Sequence, residues 1–494
     1  MLQDLLQKLE EELVSLGGGG TPVLDPETRV HLRKNAIGVL NAASKLINAL
    51  APINKLPPEI LGMIPKYEDN QVAKHLAALS SVCCYWRNTF IATPSLWTRL
   101  DGKGVEKSRA WVERSGTLPI QLWVQGSPNP EVFEFLASHS SRLEVVFLPR
   151  VKPRDHSIFT HSHLAKLLRP APLLRHICVY ALKTFDALVP MTGEFPSLES
   201  MRVSGVQMPI TNLRTPNLRR LELAGAFDPE SLFDLLESSP LLAYLDLTLF
   251  LRQGVPVSTG RKVSLEKVKQ ANFSRDGFKM LPRLLLPTSN EITVDLPSHW
   301  QHDNDIDNTP LLSHLLDSLP MFRQVRSMSF LVTSPNQTIS TEGPNGKFVL
   351  LTDHDNEPIR SITLLRLLAQ RSTGFIRELK IPHLHVPPRH HNLVNDFVKS
   401  LEDLRSVCMH DSFATQSLLA LGTSHCLQLK ETTVWGSFPD YGGLEEFVQG
   451  RSEAGIPIQR LLIERPPRAI IDADATEPLR RYVQEVREMY GHRR

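Results

Sequence analysis

Apolar positions along the chain change period, and each change predicts a different element. Leu2, Leu6, Leu9, Leu13 and Leu16 recur at alternating spacings of four and three, a short heptad seam flanked by Glu10, Glu11 and Glu12. Gly17 to Gly20 then break it with a flexible joint. Asp25, Pro26 and Glu27 combine a capping side chain, a first-position proline and a first-turn acid, so a helix starts there. Its apolar positions, including Leu40, Ala43, Ile47 and Leu50, are expected to pack on the helices that follow. Pro57 and Pro58 suit another helix start, with Glu59 in the positive first turn. Ile60, Leu61 and Ile64 follow at helical spacing until Pro65 ends the run, and Val72, Leu76, Leu79, Val82, Cys83 and Trp86 repeat every three to four residues beyond it. Two such short helices cannot bury both faces in each other, so an apolar strip should remain open to a partner groove.

After a helix over Val105 to Ser115 closed by Gly116, and a strand over Leu118 to Val124, a new pattern takes over. Apolar triplets of the form L-x-x-L-x-L fall at Leu143/Val146/Leu148, Leu174/Ile177/Val179, Leu198/Met201/Val203, Leu218/Leu221/Leu223 and Leu242/Leu245/Leu247. They continue less cleanly at Val268/Ala271/Phe273, Val325/Met328/Phe330, Ile376/Leu379/Ile381, Leu404/Val407/Met409 and Ile458/Leu461/Ile463. Most intervals are roughly 20 to 36 residues, enough for one strand and one helix per unit. Asp228 with Pro229, and Asn308 to Pro310, open the helices expected between strands. The interval from Val325 to Ile376 is about twice the usual length, and Gly343, Pro344, Asn345 and Gly346 inside it predict a hairpin insertion, either a recognition loop projecting from the rim or a tolerated surface insertion. A last helix is expected from Pro478. Strand residues between the apolar positions should share one face; His176, Arg202, Arg220, Glu222, Tyr244 and Asp246 are candidates to contact another protein there. The bland alternative is that Arg202 and Glu222 merely pair with each other.

Composition narrows the function. At 494 residues, 41% of them hydrophobic, the chain should be globular with more than one domain or a repeat array. Fifty-five Lys and Arg against 53 Asp and Glu leave a net charge of +2, which gives no electrostatic case for nucleic acid. Cys83, Cys84, Cys178, Cys408 and Cys426 are odd in number and scattered, as free thiols in a reducing compartment would be, so a cytoplasmic or nuclear location is expected. No membrane-length apolar run and no signal sequence are read. His302 to Asn308 imitate the start of a calcium loop, but Asn308 stands where the turn glycine belongs. His383, His385, His390 and His391 lack carboxylate or cysteine partners and are expected in a surface loop. No metal, no cofactor and no catalytic constellation is predicted.

Leu56, Pro57, Ile60 and Leu61, then Leu79, Ser80, Val82, Cys83, Trp86 and Arg87, followed by Pro94 to Trp97, resemble the F-box. The triplets resemble a degenerate leucine-rich repeat that lacks the asparagine ladder. Together they resemble F-box/leucine-rich-repeat substrate receptors. The resemblance implies an α/β chain, with an all-helical F-box module followed by an irregular solenoid of parallel strands with helices outside. Its divisions would be N-terminal helices and linker at 1–51, the F-box-like domain at 52–100, a connecting helix at 101–118, repeats at 119–465 with the insertion at 333–358, and a tail or helix at 466–494. It also implies a non-catalytic adaptor in the ubiquitin-conjugation pathway. Leu56, Pro57, Ile60, Leu61, Leu79, Val82 and Trp86 would bind a Skp-type adaptor of a cullin-RING ligase, and the repeats would bind a client protein. The rival readings are an interaction scaffold whose F-box-like helices only cap the repeats, and an enzyme with a site assembled from distant residues.

Overall fold

The helix starts written into the amino-terminal sequence are present. The computed structural model describes residues 7, 11, 25–64, 72–124, 129–148, 166–168, 171–180, 191–204, 210–249, 261–287, 290–296, 326–333, 336–343, 346–353, 376–381, 391–436, 439–465 and 476–490. Asp25 accepts a hydrogen bond from the Thr28 amide at 2.9 Å and opens α1 (Pro26–Leu50). Next come α2 (Pro58–Met63), which stops short of Pro65, then α3 (Val72–Ser80) and α4 (Cys84–Ile91). Beyond them lie β1 (Arg99–Leu100), α5 (Val105–Arg114), β2 (Ile120–Trp123), α6 (Pro130–Ala137) and β3 (Leu143–Leu148). Gly116 follows α5 at φ 59°, the left-handed turn that favours glycine at a helix end. Strands β1, β2 and β3 pair in parallel, with Leu100, Leu122 and Val146 in register and buried. The expected helix at 308–310, the calcium-like stretch 302–308 and the leucine seam lie outside the described residues.

One expectation about α1 fails. Leu40, Ile47 and Leu50 are exposed, and Val39 is the helix's buried residue. A helix packs through a single stripe, and a stripe centred on Val39 carries Ala43 but leaves Leu40 and Ile47 roughly 100° away around the axis.

Contacts divide the chain into two units, Met1–Leu148 and Pro149–Arg494. The second contains β4 (His176–Tyr180), β5 (Met191–Glu194), β6 (Ser200–Ser204), β7 (Ile210–Arg214), β8 (Arg220–Gly225), β9 (Tyr244–Leu249), β10 (Val263–Ser264), β11 (Gln270–Arg275), β12 (Leu284–Leu285) and β13 (Asn290–Leu296). It continues through β14 (Ser327–Thr333), β15 (Asn336–Gly343), β16 (Gly346–Asp353), β17 (Glu378–Ile381), β18 (Ser406–His410), β19 (Glu431–Trp435), β20 (Arg460–Arg465) and β21 (Glu485–Tyr490). Its helices are α7 (Pro229–Glu237), α8 (His391–Lys399), α9 (Asp411–Leu421) and α10 (Tyr441–Glu453).

Parallel pairing runs β4-β6-β8-β9-β11-β13, and again β14-β17-β18-β19-β20-β21. The apolar triplets mark these strands. Ile177, Met201, Leu221, Leu245 and Ala271 stand in register and buried, as do Leu379, Val407 and Leu461 further on, so one face of the ladder is core. Asp228 caps α7 through the Ser231 amide at 2.9 Å, and α7 buries Leu232, Phe233, Leu235 and Leu236.

Four details differ from the sequence reading. The predicted hairpin exists, with β15 and β16 joined across residues 344–345, but it does not project: β16 pairs in parallel with β13, and β15 lies antiparallel between β16 and β14. Each of its backbone edges thereby finds a partner, which a free hairpin would leave open. Helices do not fill every crossover either: β5 pairs with β7, and β10 with β12, as short parallel ribbons. Pro209 and Pro216 bracket the β7 segment and disfavour a helix there. At the carboxyl end a 3-10 turn, Pro478–Arg481, replaces the expected helix and leads into β21, which extends the ladder beside β20. Finally, His391 is buried at the start of α8, its Nδ1 hydrogen-bonded to Gln416 Oε1 at 2.7 Å, whereas the other three histidines of that tract lie outside the described residues.

Candidate partner-docking surfaces

The turn between α3 and α4 and the start of α2 build an apolar edge. Pro57, Ile60 and Val82 are exposed, the last two at 47% and 54%. Leu56 and Leu79 are half-buried. The Tyr85 hydroxyl donates to the Leu56 carbonyl at 3.1 Å and ties the two helix starts together, with Ile60 exposed on one and Val82 and Tyr85 exposed at the other. Met63 and Ile53 add further exposed apolar surface nearby in the chain. Isolated exposed leucines are ordinary, but a cluster of this kind on a small helical module is a candidate contact surface.

Leu61 and Trp86 do not belong to that strip, which corrects their assignment as docking residues. Leu61 is fully buried and Trp86 is 5% exposed. The Trp86 ring meets Phe90 edge-on at 5.8 Å, and its indole N–H donates to Asn54 Oδ1. Asn54 in turn donates from Nδ2 to the Asn48 carbonyl at 2.5 Å, linking Trp86 to the last turn of α1. A small module has few large apolar groups with which to make a core, so its tryptophan faces inward and satisfies its one donor there. Gly62 allows the close approach of α2: a Cβ at that position would stand 3.3 Å from Thr93 Oγ1. Trp97 completes this core by donating to the Phe90 carbonyl at 2.8 Å and meeting Trp111 edge-on at 5.3 Å.

Sequence reasoning missed the wall beside the strip. A groove of about 690 Å³ runs between α1 and the start of α4, with Asn41, Ser44, Lys45 and Asn48 facing Val82 and Tyr85. The signal was available in the polar stripe of α1, which the apolar pattern drew attention away from.

The second unit gathers the other candidates. Arg202, Glu222 and Asp246 are neighbours on β6, β8 and β9, while His176 and the pair Arg220 and Tyr244 occupy the row beside them. The Arg202 guanidinium donates to Glu222 Oε1 and to the Tyr180 hydroxyl, each at 2.5 Å, and Arg220 Nε donates to the same Glu222 oxygen at 2.5 Å while its guanidinium stacks 4.3 Å from the Tyr244 ring. Burial acts to raise the Glu222 carboxyl, but hydrogen bonds from the two arginines outweigh it and hold the group below the ordinary range. Asp246 is hydrogen-bonded by neutral groups, with Arg202 acting on it only as a nearby charge. Burial raises its carboxyl, Glu222 beside it adds to the rise, and its acceptors are filled by Asn272 Nδ2 at 3.3 Å and the Tyr244 hydroxyl at 3.4 Å. The candidates are therefore brought together, but largely as one another's partners. Tyr180 and Asn272, which complete the network, sit at the same alternating strand positions and were within reach of the same rule.

Among the described residues no group of three His, Cys, Asp or Glu side chains is placed to hold a metal ion, and no helix is long and apolar enough to cross a membrane. Comparison with curated proteins finds no match for this chain. A protein-family model described as F-box-like matches residues 53–103, the helices that carry the apolar strip, and this chain therefore bears an F-box-like domain there.

Proposed function

We propose that this chain is a non-catalytic, substrate-recruiting adaptor: its F-box-like domain docks on a Skp-type adaptor of a cullin-RING ubiquitin ligase, and its second unit holds a client protein for ubiquitination. The carrying observation is the exposed strip of Pro57, Ile60 and Val82 on the F-box-like domain, with its own core already satisfied by Leu61, Trp86 and Phe90. Such domains typically bind Skp-type adaptors, and an apolar strip that the domain's own fold leaves open fits that use. Adaptors of this kind act by proximity and need no reacting groups of their own. A reducing, cytoplasmic or nuclear setting suits the free thiols.

The parallel ladder, with apolar triplets entering the core and polar positions on the other face, supports reading the second unit as a degenerate leucine-rich-repeat solenoid interrupted by the meander of β14, β15 and β16. On that reading the row of Arg202, Glu222, Asp246 and Tyr244 is the client face. The rival scaffold reading requires the strip to be covered by the chain itself, and the 47% exposure of Ile60 speaks against it.

The test is copurification of the full chain with a Skp-type adaptor. Ile60→Asp with Val82→Asp is expected to abolish capture while circular dichroism and melting stay as in the parent, because desolvated apolar anchors carry about 2 kcal/mol or more each. Undiminished capture by that variant would discard the strip.

A further inference from the structure

The exposed face of α1 has an internal symmetry, and its carboxyl half borders the groove that Ser44 and Asn48 share with Val82 and Tyr85. Val30, Ile37, Leu40 and Ile47 are all exposed, the last at 70%, on a helix whose inward stripe is centred on Val39. Their spacing of seven, three and seven is that of the two apolar positions of a heptad, with Arg33 and Ser44 filling the remaining places. The pattern also reads the same from both ends. Turning a second α1 end over end about the point between Gly38 and Val39 sets Val30 across from Ile47 and Ile37 across from Leu40 of the other copy, over almost the entire length of the helix.

Charge selects that direction. The antiparallel alignment places Arg33 opposite Ser44 and Arg29 opposite Asn48, so no like charges meet along the seam. A parallel alignment would press Arg33 of one copy against Arg33 of the other. A two-fold contact of this kind uses one patch twice, which makes self-complementarity the relevant criterion. The two strips together would remove on the order of 1,000 Å² from water, the lower edge of what specific pairing requires.

We infer that α1 is a homodimerisation helix, pairing antiparallel with the α1 of a second copy through Val30, Ile37, Leu40 and Ile47. The pairing is weak and concentration-dependent, and it presents two F-box-like domains per assembly.

Sedimentation velocity of the full chain over a concentration series tests this. The parent is expected to shift from monomer to dimer as concentration rises, and Leu40→Glu with Ile47→Glu to weaken the dimer at least about tenfold without loss of adaptor capture. Arg33→Glu with Ser44→Arg should tighten it, because the antiparallel seam then sets Glu against Arg, whereas a parallel seam would set like against like. Direction is read by oxidative cross-linking in a Cys84→Ser background: copies carrying Ile37→Cys should cross-link to copies carrying Leu40→Cys, and neither to itself. A parent that stays monomeric throughout, cross-links between like positions, or a dimer that survives Leu40→Glu with Ile47→Glu but is lost on deleting residues 1–16 would each overturn the inference. The last outcome would assign pairing to the leucine seam instead.

Discussion

Two residues of the F-box-like domain with similar apolar character have opposite fates, and the contrast is measurable. Trp86→Ala removes a buried ring and orphans the Asn54 acceptor, so it should cost about 3 to 5 kcal/mol in chemical denaturation of this domain. Ile60→Asp should leave the same midpoint within about 0.5 kcal/mol, because the side chain faces water. Asp246 gives a second prediction. Its carboxyl is raised in the folded state, so its contribution favours the fold fully below the ordinary Asp value and is lost as pH rises through the raised one. Asp246→Asn should therefore be as stable as the parent below about pH 4 and more stable at neutral pH. Glu222→Gln should behave in the opposite sense: its carboxyl is lowered, so the parent's advantage exists at neutral pH and vanishes as acid protonates the group. Thiol chemistry separates the cysteines in the same way. Burial pushes the Cys408 thiol up to about 12, so at neutral pH iodoacetamide should modify exposed Cys84 while Cys408 reacts only on unfolding, as peptide mass mapping would record.

At the scale of elements, the sequence was most legible where one physical cause acted alone. Asp25 and Asp228 with their following prolines announced helix starts, and every strand carrying an apolar triplet was found because burial demands those positions. Strands β13 and β19 escaped notice: β19 sets Thr432 in the buried register position between Leu429 and Val434, and an apolar count passes over it. Two of the three long gaps in the triplet series, those after Val268 and after Leu404, are where these strands lie. What could not be read was the docking of the β15–β16 hairpin through β16 onto β13, since hydrogen-bond partners far apart in sequence leave no local mark. Because this hairpin bridges β13 and β14, deleting 334–353 should lower the melting temperature of the whole second unit and collapse amide-exchange protection in β13 and β17, whereas a projecting insertion would tolerate the loss.

For the molecule as a whole, the apolar strip was foreseen from a simple surplus: two short helices have more apolar face than they can spend on each other. Which residues form it was not foreseen correctly throughout, since periodicity names an apolar stripe without saying which of its members face inward. Leu61 and Trp86 sit on that stripe but turn into the core, leaving Pro57, Ile60 and Val82 outside. The most direct measurement is therefore calorimetric titration of the full chain with a purified Skp-type adaptor, comparing the parent with Ile60→Asp and Val82→Asp. The account predicts saturable binding by the parent with a negative heat-capacity change from apolar burial, and a loss of at least about thirtyfold in affinity for each variant. Equal affinity for the parent and both variants would contradict it.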